Sequence, residues 1–223
     1  IPVPKEGVAS TAAAAAKLAA GMGYPVVLKI VSPDILHKTE AGGVLVGVKS
    51  AAEVKAGFAK ILANAKKYNR KAQILGVQVQ QMVGGGQEVI IGAVTDPSFG
   101  KLVAFGLGGV LVEVMKDITF RLAPATKDDA LSMLDGIGAA AMLKGVRGSD
   151  PVDRDALAAL IENVSQLVAD FPEIAEMDLN PVFASKAGAI AADVRIVCDW
   201  SPPPARFRPK HDDIVRDMNR IMK

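Results

Sequence analysis

An internal disulfide is excluded at the outset, because the 223-residue chain holds one cysteine, Cys198. That scarcity suits a reducing cytoplasm, and the residue reads as a buried or inert thiol. An excess of charge of one sign is missing too. The formal net charge is +2, which gives no case for a nucleic-acid binder or an electrostatic membrane binder. No apolar run approaches the roughly 18 residues that a membrane span needs. The opening "IPVPKEG" lacks the apolar segment of a secretory signal. It also lacks an initiator Met, which suggests an excerpt of a longer protein or a trimmed chain. Histidine is scarce, with His37 and His211 alone. Half of the residues are hydrophobic, enough for one large core or two small ones. There is no internal repeat.

What is present reads as strands and helices in alternation. An alanine-rich helix over Ser10 to Ala20 runs into Gly21 and Gly23. "YPVVLKIV" follows as a buried strand and "GVLVGV" as another. "SAAE" (Ser50 to Glu53) has capping-box spacing, and Val54, Phe58, Ile61, Leu62 and Ala65 then recur at helical spacing. "ILGVQVQQMV" and "EVIIGAVTD" are strands on either side of a "GGGQ" turn. In "DITFRLAP", Ile118, Phe120 and Leu122 alternate with Thr119 and Arg121. "TKDD" (Thr126 to Asp129) is a second capping box. Asp150 and Pro151 read as the start of a helix whose apolar stripe is Leu157, Leu160, Ile161, Val164, Leu167 and Val168. "AEMDLNPVFASKAGAIAADVRIV" reads as two strands around a glycine-containing turn. "SPPPARFRP" is a stiff linker before a short amphipathic helix from about Lys210. The pattern is α/β or α+β.

Two groups of polar residues lie on these strands. Lys29 shares a face with Val27 and Val31, so it needs a partner or an exit to solvent. It is either an edge-strand lysine that snorkels or a phosphate-binding ammonium. In the C-terminal pair, a turn centred on Lys186 and Ala187 sets Asn180 opposite Asp193 and Asp178 opposite Arg195. It also sets Leu179 against Val194 and Met177 against Ile196 as a core face. Opposed side chains lie roughly 5 Å apart at Cβ. An amide oxygen and a carboxylate at that spacing can share Mg²⁺, whose ligand distances are about 2.1 Å, with water and phosphate completing the shell. The alternative is a solvated face with an Asp178–Arg195 pair. The clusters "GLGG" (Gly106 to Gly109) and "GGG" (Gly84 to Gly86) either let backbone amides approach phosphates or form loose turns. Neither is a Walker A loop or a dinucleotide fingerprint.

Taken in order, "GYPVVLKIVSPDILHKTEAGGV", "VQQMVGGGQEVIIGAVTDPSFG", "FGLGGVLVEVMKDITFRLAP", "AEMDLNPVF" and "AADVRI" resemble the ATP-grasp domain of the NDP-forming acyl-CoA synthetases. That family includes ADP-forming acetyl-CoA synthetase, with succinyl-CoA synthetase as a distant relative. The match runs from Val3 to Val197. It implies an ATP-grasp fold, two α/β subdomains with nucleotide between them. The domain would span residues 1–197, with a smaller subdomain at roughly 24–80, and the linker and tail would take 198–223. The resemblance implies Lys29 as the lysine on ATP phosphates. It implies Gln80, Gln81 and Met82 as the hinge whose backbone reads adenine, and Glu88 as an acidic residue near the nucleotide. The commoner hinge has Glu where this chain has Gln81, a change that a backbone contact survives. Asn180 and Asp193 match the Mg²⁺ ligands. Asp178 matches an acidic residue that either binds metal or orients the phosphorylated histidine. Glu113, Asp117 and Arg121 lie in a matching segment without individual roles.

The family's reaction is acyl-CoA + NDP + phosphate ⇌ acid + CoA + NTP, through an acyl phosphate and a phosphohistidine. The resemblance implies ATP/ADP and Mg²⁺ as cofactors and a CoA-ligase module as partner. That module would handle the carboxylic acid and CoA and carry the first phosphohistidine. "HKTEAGG" matches the segment of a second, relaying histidine, so His37 is the candidate phosphoryl carrier, against the plainer reading of a polar loop histidine. A neutral imidazole is a suitable nucleophile near neutral pH. His211 reads as a surface residue. Two other functions fit less well. One is a synthetase-like regulatory or scaffold domain of a protein lysine acetyltransferase, against which the retained Lys29, His37, Asn180 and Asp193 argue. The other is a generic ATP-grasp carboxylate–amine ligase, which makes no special use of His37.

Overall fold

The computed structural model describes residues 1–109, 117–146 and 150–201. Glu113, His211, and the expected linker and helix after Ser201 fall outside the described residues. Two antiparallel sheets, each carrying its own helices and its own core, make up the described chain.

The first layer is built from β1 (Glu6–Ala9), α1 (Ala12–Met22), β2 (Val26–Val31), β3 (Val44–Val48), α2 (Ala51–Tyr68) and β4 (Gly76–Gln81). Its strand order is β1-β4-β2-β3. The unbroken apolar run of β2 has the reason expected of it: β2 is an inner strand, buried from Val26 to Ile30. Lys29 therefore does not sit on an edge strand. The apolar stripe of α2 (Val54, Phe58, Ile61, Ala65) packs with Leu28 and Ile30 into one cluster, which also takes Ala15 and Ala19 from α1. This layer starts earlier than the expected boundary near residue 24, because β1 pairs with β4 and carries α1 with it.

The second layer contains β5 (Gln87–Asp96), β6 (Gly100–Leu107), β7 (Ile118–Leu122), α3 (Lys127–Gly136), a 3₁₀ turn (Ala140–Lys144), α4 (Arg154–Asp170), β8 (Ile174–Ser185), β9 (Gly188–Ala191) and β10 (Val194–Cys198). Its strand order is β10-β8-β5-β6-β7, with β9 also on β8. Both helices cover one face, where Ile91, Phe105 and Leu179 meet Met133, Leu134, Leu157 and Ile161. Period-2 alternation turns Asp178 to the other face. Among the described residues no helix is long and apolar enough to cross a membrane.

Helix starts follow their capping residues. Thr126 forms a full capping box with Asp129. Ser50 caps Glu53 N–H, but the Glu53 carboxylate accepts from Lys49 N–H rather than from Ser50, so that box is half formed. The helix expected at Asp150 begins at Arg154. Its N-cap is Asp153, whose carboxylate accepts from Ala156 N–H at 2.9 Å. Asp150 is engaged elsewhere, with Lys186 at 2.7 Å.

The expected register of the C-terminal strands holds. Ser185 pairs with Gly188, Leu179 with Val194, Asp178 with Arg195 and Met177 with Ile196. The second strand is interrupted at Ala192 and Asp193, dividing it into β9 and β10. The core face expected there is half wrong: Met177 and Leu179 are buried, while Val194 and Ile196 are exposed. The reason is that β10 is an edge strand. Cys198, expected to be buried or inert, is exposed for the same reason.

Candidate functional site

Between the layers lies a cavity of about 540 Å³. Lys29, His37, Gln80, Met82, Asn180 and Asp193 all line it, with Val27, Val44, Val46, Val83 and Phe183 as apolar walls. A neighbouring groove of about 590 Å³ is lined by Gly84, Gly85 and residues of α4 and β9, and holds none of the expected polar residues.

Lys29 is the floor. Its side chain is only 11% exposed, and Nζ donates to Ala192 O at 2.9 Å and Asp193 Oδ1 at 3.1 Å. A buried ammonium needs such partners. They come from the strand interruption, so the break between β9 and β10 presents a carbonyl and a carboxylate to the first layer. Gln80 does the same from β4. It is buried, and its Nε2 donates to Ala192 O at 3.1 Å and to Glu6 Oε2 at 2.9 Å.

The hinge differs from the expectation in detail. Gln81 N–H donates to Lys5 O at 2.8 Å and Met82 N–H to Pro25 O at 3.3 Å. Those two amides are already used within the first layer, since β4 is an inner strand with a neighbour on each side. The side chain of Met82 lines the cavity beside Val83 and Phe183. Gln81 is exposed and outside the cavity, and its side chain is not brought to the site.

His37 sits on the loop between β2 and β3. The loop is pinned at both ends. Ile35 is buried at one end. At the other, Asn64 Nδ2 donates to Gly42 O at 2.9 Å and Ile30 N–H donates to Gly43 O at 2.7 Å. The two glycines are needed. Gly42 has φ +60°, and a Cβ on Gly43 would lie 2.5 Å from Ile30 Cγ2. Between the pins, residues 36–40 form an exposed arch that carries His37 into the cavity and is closed by Ala41 N–H on His37 O at 3.2 Å. The segment is thus a short arch on fixed feet rather than a freely swinging loop.

Asn180 and Asp193 are brought together as the register implies, with Asn180 N–H donating to Asp193 O at 3.1 Å. Both side chains face the cavity. Among the described residues no group of three or more His, Cys, Asp or Glu side chains converges as a metal site. A carboxylate and an amide are nevertheless both hard oxygen donors, and Mg²⁺ commonly keeps several waters and substrate phosphates as its other ligands. The residues fit that sparse arrangement. Asp193 Oδ1 is meanwhile engaged by Lys29 and, at 3.7 Å, by Lys38.

Asp178 is half-buried beside this pair. Burial, then Glu176 and Asp193, push its carboxyl above the ordinary value near 3.8, against the opposing pull of Arg195. The Asp178–Arg195 pair expected from register does not form an ion pair. Arg195 turns to Glu176 at 3.7 Å. Glu88 lies outside the cavity, directly opposite Phe183 on β5 and against Gly108, whose N–H donates to Glu88 O at 2.7 Å. Half of "GLGG" is strand: Gly106 and Leu107 belong to β6. Asp117 accepts from Gly138 N–H at 2.6 Å and Ala139 N–H at 2.8 Å, which ties the start of β7 to the end of α3. Arg121 bonds Ser132 and the Phe120 carbonyl, remote from the cavity.

Sequence reasoning placed Lys38 beside His37 in the same loop but did not foresee its ion pair with Asp193, and it passed over Ala192 and the side-chain role of Gln80. The signal for the Ala192 carbonyl was Pro181, which faces it across the ladder and has no N–H to donate to it.

A model of the ATP-grasp domain matches residues 1–198. The beta subunit of acetate–CoA ligase (ADP-forming) I from Pyrococcus furiosus is 47% identical over 197 residues, covering 88% of this chain and 85% of that protein. The 4-hydroxybutyrate–CoA ligase (ADP-forming) of Nitrosopumilus maritimus is 49% identical over 198 residues, or 88% of this chain but 28% of that longer protein. Among solved structures, the dinucleotide-forming acetyl-coenzyme A synthetase 1 of Ca. Korarchaeum cryptofilum, in complex with coenzyme A and Ca-AMPCP, superposes with a TM-score of 0.88 at 42% identity, over 89% of this chain and 87% of that one. The same enzyme with Mg-AMPPCP, described with its phosphohistidine segment pointing towards the nucleotide binding site, superposes at 0.77 and 39% identity over 89% of this chain and 86% of that one.

Proposed function

Because the chain belongs to the ATP-grasp family, in the group of ADP-forming acid–CoA ligases, we propose that it binds an adenine nucleotide between its two layers and passes a phosphoryl group through His37. The observation that carries this reading is the single cavity that collects Lys29, His37, Asn180 and Asp193 from both layers.

Lys29 holds phosphate oxygens by charge, at a depth where water competes little. The apolar wall of Val27, Val83 and Phe183 takes the base. Asn180 and Asp193 hold Mg²⁺, which when bound offsets the charge of the phosphate oxygens. His37 is exposed at the rim, where a partner can reach it. A neutral imidazole nitrogen attacks the phosphorus of a phosphohistidine on the partner, and that P–N bond breaks. The terminal oxygen of ADP then displaces His37, giving ATP and free imidazole. Asp178 stands beside the Asn180–Asp193 pair, placed to adjust the local charge. The partner is a CoA-ligase module that binds the acid and CoA, and the setting is the cytoplasm.

The test uses this chain with its CoA-ligase partner, Mg²⁺ and γ-labelled ATP. The expected result is acid-labile, base-stable label on the chain, lost in His37→Ala. Label that survives this substitution unchanged would sink the relay. Failure to bind ADP or ATP by calorimetry would favour the scaffold reading instead.

A further inference from the structure

Asp193 Oδ1 receives two ammonium groups. Lys29 reaches it from β2 and has a second acceptor in Ala192 O. Lys38 reaches it from the arch at 3.7 Å. The main chain of Lys38 is part of the turn that carries His37, since Gly43 N–H donates to Lys38 O at 2.8 Å and Ala41 N–H to His37 O. The Lys38 ammonium and the imidazole therefore project from adjacent residues of one turn.

A divalent cation held by the Asp193 carboxylate at about 2.1 Å would lie close to both ammoniums and repel them. Lys29 is nearly buried and keeps Ala192 O as a partner if it yields. Lys38 is 34% exposed and can move into water. The weaker pair is the one that opens. We propose that Lys38 is a positioning residue. Its ammonium latches the arch of residues 36–40 onto Asp193 while no metal is bound, and a divalent cation on Asp193 releases the arch and His37 with it. This rests on the reading of Asp193 as a metal ligand. It adds an order of events: the arch gains the freedom to carry His37 from partner to nucleotide only after metal is loaded.

Hydrogen–deuterium exchange of the full chain tests this, followed on the peptide that spans residues 32–43. Without metal or nucleotide, Lys38→Gln is expected to speed exchange of that peptide roughly two- to fivefold, the range for a partly exposed ion pair. Lys38→Arg should retain the protection. In an Asp193→Asn background, Lys38→Gln should change nothing further. Equal acceleration in both backgrounds would mean that Lys38 acts on something other than Asp193, and would overturn the latch. With the non-hydrolysable analogue AMP-PCP present, replacing EDTA by Mg²⁺ should raise exchange in the wild type toward the Lys38→Gln level and leave Lys38→Gln unchanged. Mg²⁺ that slows exchange equally in both proteins would overturn the release step. Calorimetry on the same samples separates this from the functional reading. Absent AMP-PCP binding would sink that reading, while the metal-free comparison would still decide the latch.

Discussion

Asp178 is a carboxylate that the folded protein holds in an unfavourable place. Its raised value comes first from desolvation and then from Glu176 and Asp193. The sign of the linkage follows. Between the ordinary value near 3.8 and the higher folded value, the native state binds more protons than the unfolded one, so this group lowers stability as pH rises through that window. Asp178→Asn is therefore expected to raise the melting temperature at pH 7, and the gain should vanish below the ordinary carboxylate range. Thermal melts at pH 3.5 and pH 7 check it, and an equal gain at both would point to a cause other than charge. Lys29 is the opposite case. It is a buried charge with good partners, and it was legible in the sequence because a lone ammonium in "VVLKIV" needs something to bind.

Among the elements, the β8–β10 ladder decides where the side-chain oxygens of Asn180 and Asp193 fall. Its register was readable in advance, because a two-residue turn and a period of two leave one pairing that keeps Met177 and Leu179 on the core side. The same arithmetic could not show that β10 lies at the edge, since edge position depends on what else the sheet collects. The break at Ala192 went unread although Pro181, opposite it, lacks the N–H that would continue the ladder. Capping boxes were equally uneven. Thr126 with Asp129 closed as written, while Asp150 gave way to Asp153, three residues on, where a free carboxylate met Ala156 N–H. The ladder yields a direct expectation: Asn180→Ala and Asp193→Ala each weaken ADP binding much more in Mg²⁺ than in EDTA, by calorimetry. Equal losses in both would count against a metal on this pair. Hydrogen-bond occupancy of the Gln81 and Met82 amides was not legible, because it follows from strand order and not from residue type.

Across the whole molecule, hydrophobic content allowed either one core or two, and pairing topology resolved the choice in favour of two. Leu28 belongs to one cluster and Leu179 to the other, both fully buried. Leu28→Ala and Leu179→Ala should each cost about 2–5 kcal/mol. Sharing no cluster, the two losses should add to within about 0.5 kcal/mol in urea unfolding of the double variant. A double loss well short of the sum would mean that the layers share more packing than their separate clusters imply.

The Ala192 carbonyl accepts from both Lys29 and Gln80, while Ala192 N–H donates to Pro181 O at 2.9 Å. The rivet between the layers is thus a peptide group. Substitution at position 192 cannot delete that oxygen, so the joint is indifferent to the identity of the residue that supplies it. Its vulnerability lies on the donor side, in two strands 163 and 112 residues away in sequence. Drift at Lys29 or Gln80 therefore wears at this joint, and Lys29 also lines the proposed nucleotide site. Inheritance of the fold and inheritance of the site are coupled at that lysine.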